Sequence, residues 1–167
     1  MLRTPGMLNT ERPRIIDHPE VFVVGLPVRA AWKALWVEMP KAWRELFARV
    51  GEIGAGAEPR LADVSLEVSA DGSYQQLVGA CVGAVSLVPA GMRAVHIPAQ
   101  RLLHHCHVGP LPAIAQSFGD MLSWAREHGV AVSDFKLDIG YTPSSREAAH
   151  DLYVGLAPAV GWRYVDR

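Results

Sequence analysis

The sequence has no excess of charge of either sign. It contains 16 lysines and arginines against 17 aspartates and glutamates, and its basic residues form no run. A protein that binds a nucleic-acid backbone needs a basic face that neutralises phosphates. We therefore expect no direct binding to nucleic acid.

Long hydrophobic runs are missing as well. The most apolar stretch, residues 77–89, is too short and too rich in glycine to span a bilayer. The N-terminal segment MLRTPGMLNTERPRIID lacks the apolar core of a signal peptide. Cys81 and Cys106 lie in apolar segments outside any CxxC motif, which is typical of buried free thiols in a reducing compartment. These features predict a cytoplasmic protein without a membrane partner.

Motifs for cofactors and metals are also lacking. No glycine-rich phosphate loop precedes a helix, no GxSxG motif occurs, and the glycines of residues 51–56 follow a helix and indicate a loop. His104-His105-Cys106-His107 alternates between the two faces of a strand, so each face receives only half of a tetrahedral metal site. We expect neither a cofactor nor a metal.

Half of the 167 residues are apolar, which is sufficient for the core of one domain. Residues 1–19 are polar and contain three prolines, which predicts an arm or a loose edge. They are too few for a helix-turn-helix unit. We therefore expect a stand-alone domain over residues 20–167 that has no DNA-reading part of its own.

Two series of predicted elements share the order strand, helix, strand, strand. In the first series, residues 29–38 are either a short helix or a loop, Pro40 suits the first turn of the helix, and Gly51 suits the position after it. The second series starts with a strand that is interrupted near Pro98. The elements of the two series are a strand at 20–28, a helix at 40–50, strands at 61–68 and 74–88, a strand at 92–107, a helix at 112–128, and strands at 134–141 and 150–156.

This repeated order predicts an α+β fold with a largely antiparallel sheet and both helices on one face. The two halves, about 20–88 and 92–158, would leave a groove where they meet. Ligand sites favour boundaries between structural units. We therefore expect the ligand cleft between the halves.

Several segments, in this order and spacing, resemble the GyrI-like small-molecule-binding domain. They are Tyr74-Gln-Gln-Leu-Val-Gly79, Gly91-Met92, Ile97-Pro98-Ala99, His107-Val-Gly109-Pro110, Trp124 and Leu152-Tyr-Val-Gly-Leu-Ala-Pro158. The resemblance implies an effector-binding domain related to AraC-type and MerR-type multidrug regulators, which binds hydrophobic and often cationic small molecules. It covers roughly residues 20–158.

The resemblance also implies a set of ligand-binding residues. Asp138 is the best match to a buried glutamate of the family, Trp124 matches a tryptophan that faces the cleft, and His107 falls near the pocket. A carboxylate among aromatic rings suits an amphipathic cation. Alternatively, Asp138 faces solvent or pairs with Lys136, and His107 is a hydrogen-bonded residue at a strand end.

Aromatic residues complete the candidate site. Tyr74 and Tyr141 are strand aromatics with a polar tip, and Trp36 forms an i, i+4 pair with Trp32 that could roof the cleft. For Trp124, Tyr74 and Tyr141 the alternative is ordinary core packing.

Three functions are compatible with these residues. The favoured one is binding or sensing of hydrophobic or cationic small molecules. In the second, a hydrolase, Asp138 would act as base on a reactive small molecule that Trp124 or Tyr141 positions. The third is a protein-interaction module like the gyrase-inhibitor members of the family. A homodimer is an open alternative in each case.

Overall fold

The computed structural model describes residues 11–143 and 149–166, so the first ten residues of the expected N-terminal arm lie outside it. Within these residues the chain forms nine strands and two long helices. The strands are β1 (Arg14–His18), β2 (Val21–Ala30), β3 (Leu61–Val68), β4 (Tyr74–Val82), β5 (Arg93–Ile97), β6 (Gln100–His107), β7 (Val132–Tyr141), β8 (His150–Leu156) and β9 (Arg163–Tyr164). The helices are α1 (Trp32–Arg49) and α2 (Ile114–Glu127), and the short 3₁₀ turns Val50–Glu52 and Leu111–Ala113 lie beside them.

All nine strands form one antiparallel sheet in the order β1-β6-β8-β7-β3-β4-β2-β5-β9. The units β2-α1-β3-β4 and β6-α2-β7-β8 meet at the central pair β3 and β7. The expected α+β fold with a repeated strand–helix–strand–strand order is confirmed. The strand expected at 92–107 is two strands, since Pro98 and Ala99 separate β5 from β6.

The sheet is strongly curved. Pro98 and Ala99 join β6 to β5, although these strands lie six positions apart in the sheet order. In a flat sheet that separation would be about 29 Å, whereas a two-residue link reaches only about 10 Å. The two edges must therefore approach each other, and the apolar side chains on the inner face pack into one core that includes residues of seven strands.

Side chains along β3 and β7 point alternately to the inner and the outer face of the sheet. Ala62, Val64 and Leu66 of β3 point into the inner core, as do Phe135, Leu137 and Ile139 of β7. The residues between them therefore lie on the outer face, where both helices pack. A core cluster joins α1 to β2 and β4, and another joins α2 to β6 and β8. The centre of the outer face, over β3 and β7, is left open between the helices.

Helix α1 begins eight residues before the expected start at Pro40, so the prediction that Pro40 occupies the first turn is wrong. Proline in a helix interior costs about 3 kcal/mol because it lacks an N–H and crowds the preceding turn. Burial of Ala42 and Leu46 against the sheet offsets this cost. Ala31, in an extended conformation, marks the true start.

Residues 14–18 of the expected arm form β1, which pairs with β6 at one edge of the sheet. The second half therefore obtains its outer strand from the part of the chain that precedes the first half, whereas the first half obtains β5 from the part that follows it. Neither long helix of the described chain is apolar over enough length to cross a membrane.

Candidate ligand-binding site

A cleft opens between α1 and α2 above the central strands β3 and β7. It consists of two adjoining cavities of about 440 and 430 Å³, which share Met39, Asp63 and Tyr141. This size is typical of sites for small organic molecules. The walls are mainly apolar and aromatic side chains from the two helices: Trp32, Leu35, Trp43, Phe47, Ile114 and Phe118.

The floor of the cleft is polar, in contrast to its walls. Asp63 of β3 pairs in register with Asp138 of β7, and Ser65 pairs with Lys136. All four side chains line the cleft. Because residues two apart on a strand share a face, the alternation that buries the apolar neighbours in the inner core also places these polar groups beneath the helices.

Asp138 is held by two hydrogen-bond donors. The Tyr141 hydroxyl donates to Oδ2 at 2.6 Å, and Nδ1 of His150 donates to Oδ1 at 2.7 Å. Asp138 is 4% exposed and His150 is 1% exposed. The predicted Asp138 thus lies in the cleft, and each of its oxygens already accepts a hydrogen bond.

Asp63 was not predicted from the sequence, and its situation differs from that of Asp138. Its Oδ1 atom is buried and has no hydrogen-bond partner among the described residues. Burial, followed by the charge of Asp138, raises the pKa of Asp63 to about 8. The sequence carries no distinct signal for Asp63, because Asp63, Ser65 and Glu67 form the polar side of a regularly alternating strand, a pattern that is also typical of a face exposed to solvent.

Tyr141 and Tyr74, both candidates from the sequence, line the cleft. The Tyr141 ring lies 4.2 Å from that of Trp43 and 4.7 Å from that of His150, and burial raises the pKa of its hydroxyl. Tyr74 lies near the mouth, with its ring centroid 5.4 Å from that of Trp32. The structure brings Asp138, Tyr141 and Tyr74 together in one site.

Trp36 does not roof the cleft. It is 77% exposed, whereas Trp32, one turn earlier, lines the mouth. The side chain of Trp36 extends into solvent instead of over the cleft, since it lines neither cavity and little of its surface is covered. Of the predicted pair, Trp32 is the cleft residue.

Trp124 does not line the cleft either. It stacks on His128 at 4.2 Å and borders a separate cavity with Pro13 and His105 on the outer side of α2. Trp124 follows Phe118 by six residues, which is about 240° further round the helix. Because Phe118 faces the cleft, Trp124 cannot do so.

His107 is a buried, hydrogen-bonded residue at the end of β6. It is 2% exposed, its Nδ1 lies 2.7 Å from Oγ of Ser117, and its Nε2 lies 3.2 Å from the carbonyl oxygen of Pro110. These bonds tie the end of β6 to α2 and leave His107 outside the cleft. Nearby, Nε2 of His104 lies 2.8 Å from Oδ1 of Asp151. No three metal-binding side chains come together in the described parts of the chain.

A family model described as the GyrI-like small molecule binding domain matches residues 11–155. No curated protein matches the sequence.

Solved structures share the fold at low identity. SAV2435, solved with tetraphenylphosphonium, has a TM-score of 0.67 and 8% identity over 86% of this chain and 93% of its own. The C-terminal domain of EcmrR, a protein also solved in complex with DNA, has a TM-score of 0.58 and 12% identity over 92% of this chain and 98% of its own. A hydrolase from Listeria innocua has a TM-score of 0.57 and 15% identity over 87% of this chain and 92% of its own.

Proposed function

The chain belongs to the GyrI-like small-molecule-binding domain family, and on that basis we propose that the cleft between α1 and α2 binds hydrophobic cations. The observation that carries the proposal is the pair of facing carboxylates, Asp63 and Asp138, beneath aromatic and apolar walls. A lipophilic cation is complementary to both the walls and the floor of the cleft, because the walls bury its apolar groups and the floor provides negative charge.

The rings of the cleft support a preference for cations. The faces of tryptophan and tyrosine rings attract cations within about 6 Å, by about 0.5–2 kcal/mol depending on desolvation. Trp32 and Tyr74 line the mouth of the cleft, while Trp43 and Tyr141 lie deeper. The tetraphenylphosphonium bound to SAV2435 is a ligand of this chemical class.

We extend the proposal to a role as a cytoplasmic binding or sensing domain that does not itself read DNA. The shared fold of the EcmrR C-terminal domain supports a relation to transcription regulators. The near balance of 16 basic and 17 acidic residues supports the absence of direct contact with nucleic acid.

The hydrolase alternative receives less support from the geometry. A general base needs a lone pair directed at the proton that it abstracts. Both oxygens of Asp138 accept hydrogen bonds, from Tyr141 and His150, and so hold the carboxylate in place. This arrangement suits a fixed charge in a binding site better than a proton acceptor.

Calorimetric titration with tetraphenylphosphonium tests the proposal, with triphenylphosphine oxide as an uncharged relative. Ala115→Trp would fill the cleft from α2, and Gln116→Trp, at the next position on the helix, is its matched control, since Ala115 lines the cavity. We expect binding of the cation that Ala115→Trp abolishes and Gln116→Trp retains, together with weaker binding of the oxide. Equal affinity in both variants would place the ligand elsewhere.

A further inference from the structure

We propose that Asp63 exchanges a proton for the cationic ligand: the free protein holds Asp63 as a neutral carboxylic acid, and binding of a cation releases that proton to the solvent. The inference rests on the proposed function, because it concerns the same cleft. It assigns to Asp63 the role of direct counter-ion, which the sequence alone had assigned to Asp138.

The first step is the position of the two carboxylates. Asp63 and Asp138 are direct partners in the β3–β7 ladder, and side chains in such a pair have Cβ atoms about 4.5–5.5 Å apart. Two carboxylates this close and largely removed from water cannot both be ionised without a large penalty. One of them therefore retains a proton until another charge compensates the pair.

The second step decides which carboxylate holds the proton. Hydrogen bonds to a carboxylate favour its ionised form. Asp138 accepts such bonds from Tyr141 and His150, whereas Oδ1 of Asp63 is buried and accepts none from the described residues. The proton therefore resides on Asp63, in agreement with the pKa of about 8 that burial and Asp138 give it.

The third step concerns the cations of the protein itself. Arg44 of α1 and Lys136 of β7 line the cleft, but neither forms an ion pair with a carboxylate of the described chain. The amine of Lys136 instead donates to the backbone oxygen of Asp134 at 3.4 Å. Compensation of Asp63 thus falls to a bound ligand.

The remaining titratable groups of the cleft do not provide a compensating cation to Asp63. Glu67 on β3 and Asp134 on β7 are exposed carboxylates, and Tyr74 on β4 lies near the mouth. His150 on β8 also lines the cleft, but its Nδ1 atom contacts Oδ1 of Asp138 and not Asp63. The α2 residues that line the cavity, Ile114, Ala115 and Phe118, carry no charge.

The sign of the coupling follows. A cation beside Asp63 stabilises the ionised form and lowers its pKa below about 8. At a pH between the lowered pKa of Asp63 in the complex and its pKa of about 8 in the free protein, the free protein holds a proton that the complex does not. Binding in this pH range therefore releases one proton. The Kd of a permanent cation should therefore fall about tenfold per pH unit as pH rises toward 8, and it should level off above that pH.

Calorimetry in buffers that differ in ionisation enthalpy, such as phosphate and Tris, counts the protons directly. We expect tetraphenylphosphonium to release close to one proton per molecule bound at pH 7, and almost none at pH 9. In Asp63→Asn the release should vanish, and affinity at pH 8 should fall about 10-fold to 100-fold. Asp17→Asn, whose side chain is 96% exposed on β1, should behave like wild type.

The outcomes separate the two proposals. Binding of tetraphenylphosphonium by wild type without a buffer-dependent heat would overturn the proton exchange and leave the proposed function intact. Undiminished proton release in Asp63→Asn would overturn the assignment to Asp63. Absence of binding by wild type at every pH from 6 to 9 would overturn the proposed function itself. The pH series on wild type alone decides the exchange if Asp63→Asn does not fold.

Discussion

Asp63 and Asp138 face each other across β3 and β7, and the described chain supplies hydrogen-bond donors to Asp138 but none to Oδ1 of Asp63. A buried polar atom without a partner reduces stability. The carboxylate that best suits a cationic ligand is therefore also a weak point of the free protein, and conservative replacement of Asp63 should reveal both properties.

The stability of the protein should depend on pH through Asp63. Its pKa rises from an ordinary value of 3.8 to about 8 on folding, so the folded state keeps a proton that the unfolded chain releases in this window. The free energy of unfolding should decrease by about 1.4 kcal/mol per pH unit from this group and level off above pH 8. Urea denaturation at pH 5, 6.5 and 8 measures this slope.

Asp63→Asn should remove the pH dependence of the free energy of unfolding that comes from Asp63. The variant should be more stable than wild type at pH 8, and the difference in stability should be smaller at pH 5. Asp17→Asn serves as the control, since its exposed side chain should leave the wild-type slope unchanged. Parallel stability curves for wild type and Asp63→Asn would contradict the raised pKa.

Trp32 and Trp36 form a matched pair for testing the mouth of the cleft. Trp32 lines the cavity and lies 5.4 Å from the Tyr74 ring, whereas Trp36 is largely exposed outside it. Trp32→Ala should weaken binding of tetraphenylphosphonium about tenfold, the equivalent of about 1.4 kcal/mol, through loss of a cation–π contact and apolar area. Trp36→Ala should change affinity less than twofold. Calorimetric titration measures the affinity of both variants. Equal losses of affinity in Trp32→Ala and Trp36→Ala would contradict the placement of the cleft mouth beside Trp32.

Tyr141 contributes a hydroxyl and a ring, and two variants separate them. Tyr141→Phe removes a donor from buried Asp138 and should reduce the free energy of unfolding by about 1–3 kcal/mol. Tyr141→Leu also removes the ring that packs on Trp43 and should lose about 1 kcal/mol more. Urea denaturation measures both. A Tyr141→Phe variant as stable as wild type would show that the hydrogen bond contributes nothing net.

Gly79 and Gly119 should respond to alanine in opposite directions. Gly79 pairs with Gly25 between β4 and β2, where an added Cβ would collide with the backbone of Val24. Gly79→Ala should destabilise by about 3 kcal/mol or more. Gly119 is exposed on α2 with open space around its Cβ position, so Gly119→Ala should stabilise by about 0.5–1 kcal/mol. Thermal unfolding distinguishes the two, and a tolerated Gly79→Ala would refute the close approach of the strands.

Local patterns were sufficient to predict the repeated strand–helix–strand–strand order, but not the edge strands β1 and β9 or the separation of β5 from β6. The ranges of β3 and β8 agree with the predicted strands, because turn residues bound both segments. The start of α1 was missed because Pro40 satisfies the rule for a first turn, while the burial that permits it in the interior is tertiary. The closing of the sheet by the Pro98–Ala99 link could be inferred only once the strand order was known.

Only part of the candidate site could be predicted from the sequence. Asp138 was placed by resemblance, and Tyr141, three positions later on β7, reaches the same face only because the register with β3 shifts at Gly140. Trp124 and His107 were placed by resemblance, and the rotation of α2 and the bond to Ser117 direct them elsewhere. Asp63 lies 75 positions before Asp138 in the sequence, and nothing local indicates that their strands pair.

The exchange of edge strands makes the two halves mutually dependent. β1 precedes the first half yet completes the second, so a cut at Pro98–Ala99 would not yield two autonomous modules: the fragment from residue 99 onward would lack its outer strand. The two fragments should regain a fold only when mixed. In the intact chain this interlocking favours a single all-or-none melting transition. A ligand held between α1 and α2 would then stabilise every strand at once, so a change in the melting temperature reports occupancy from any position in the domain.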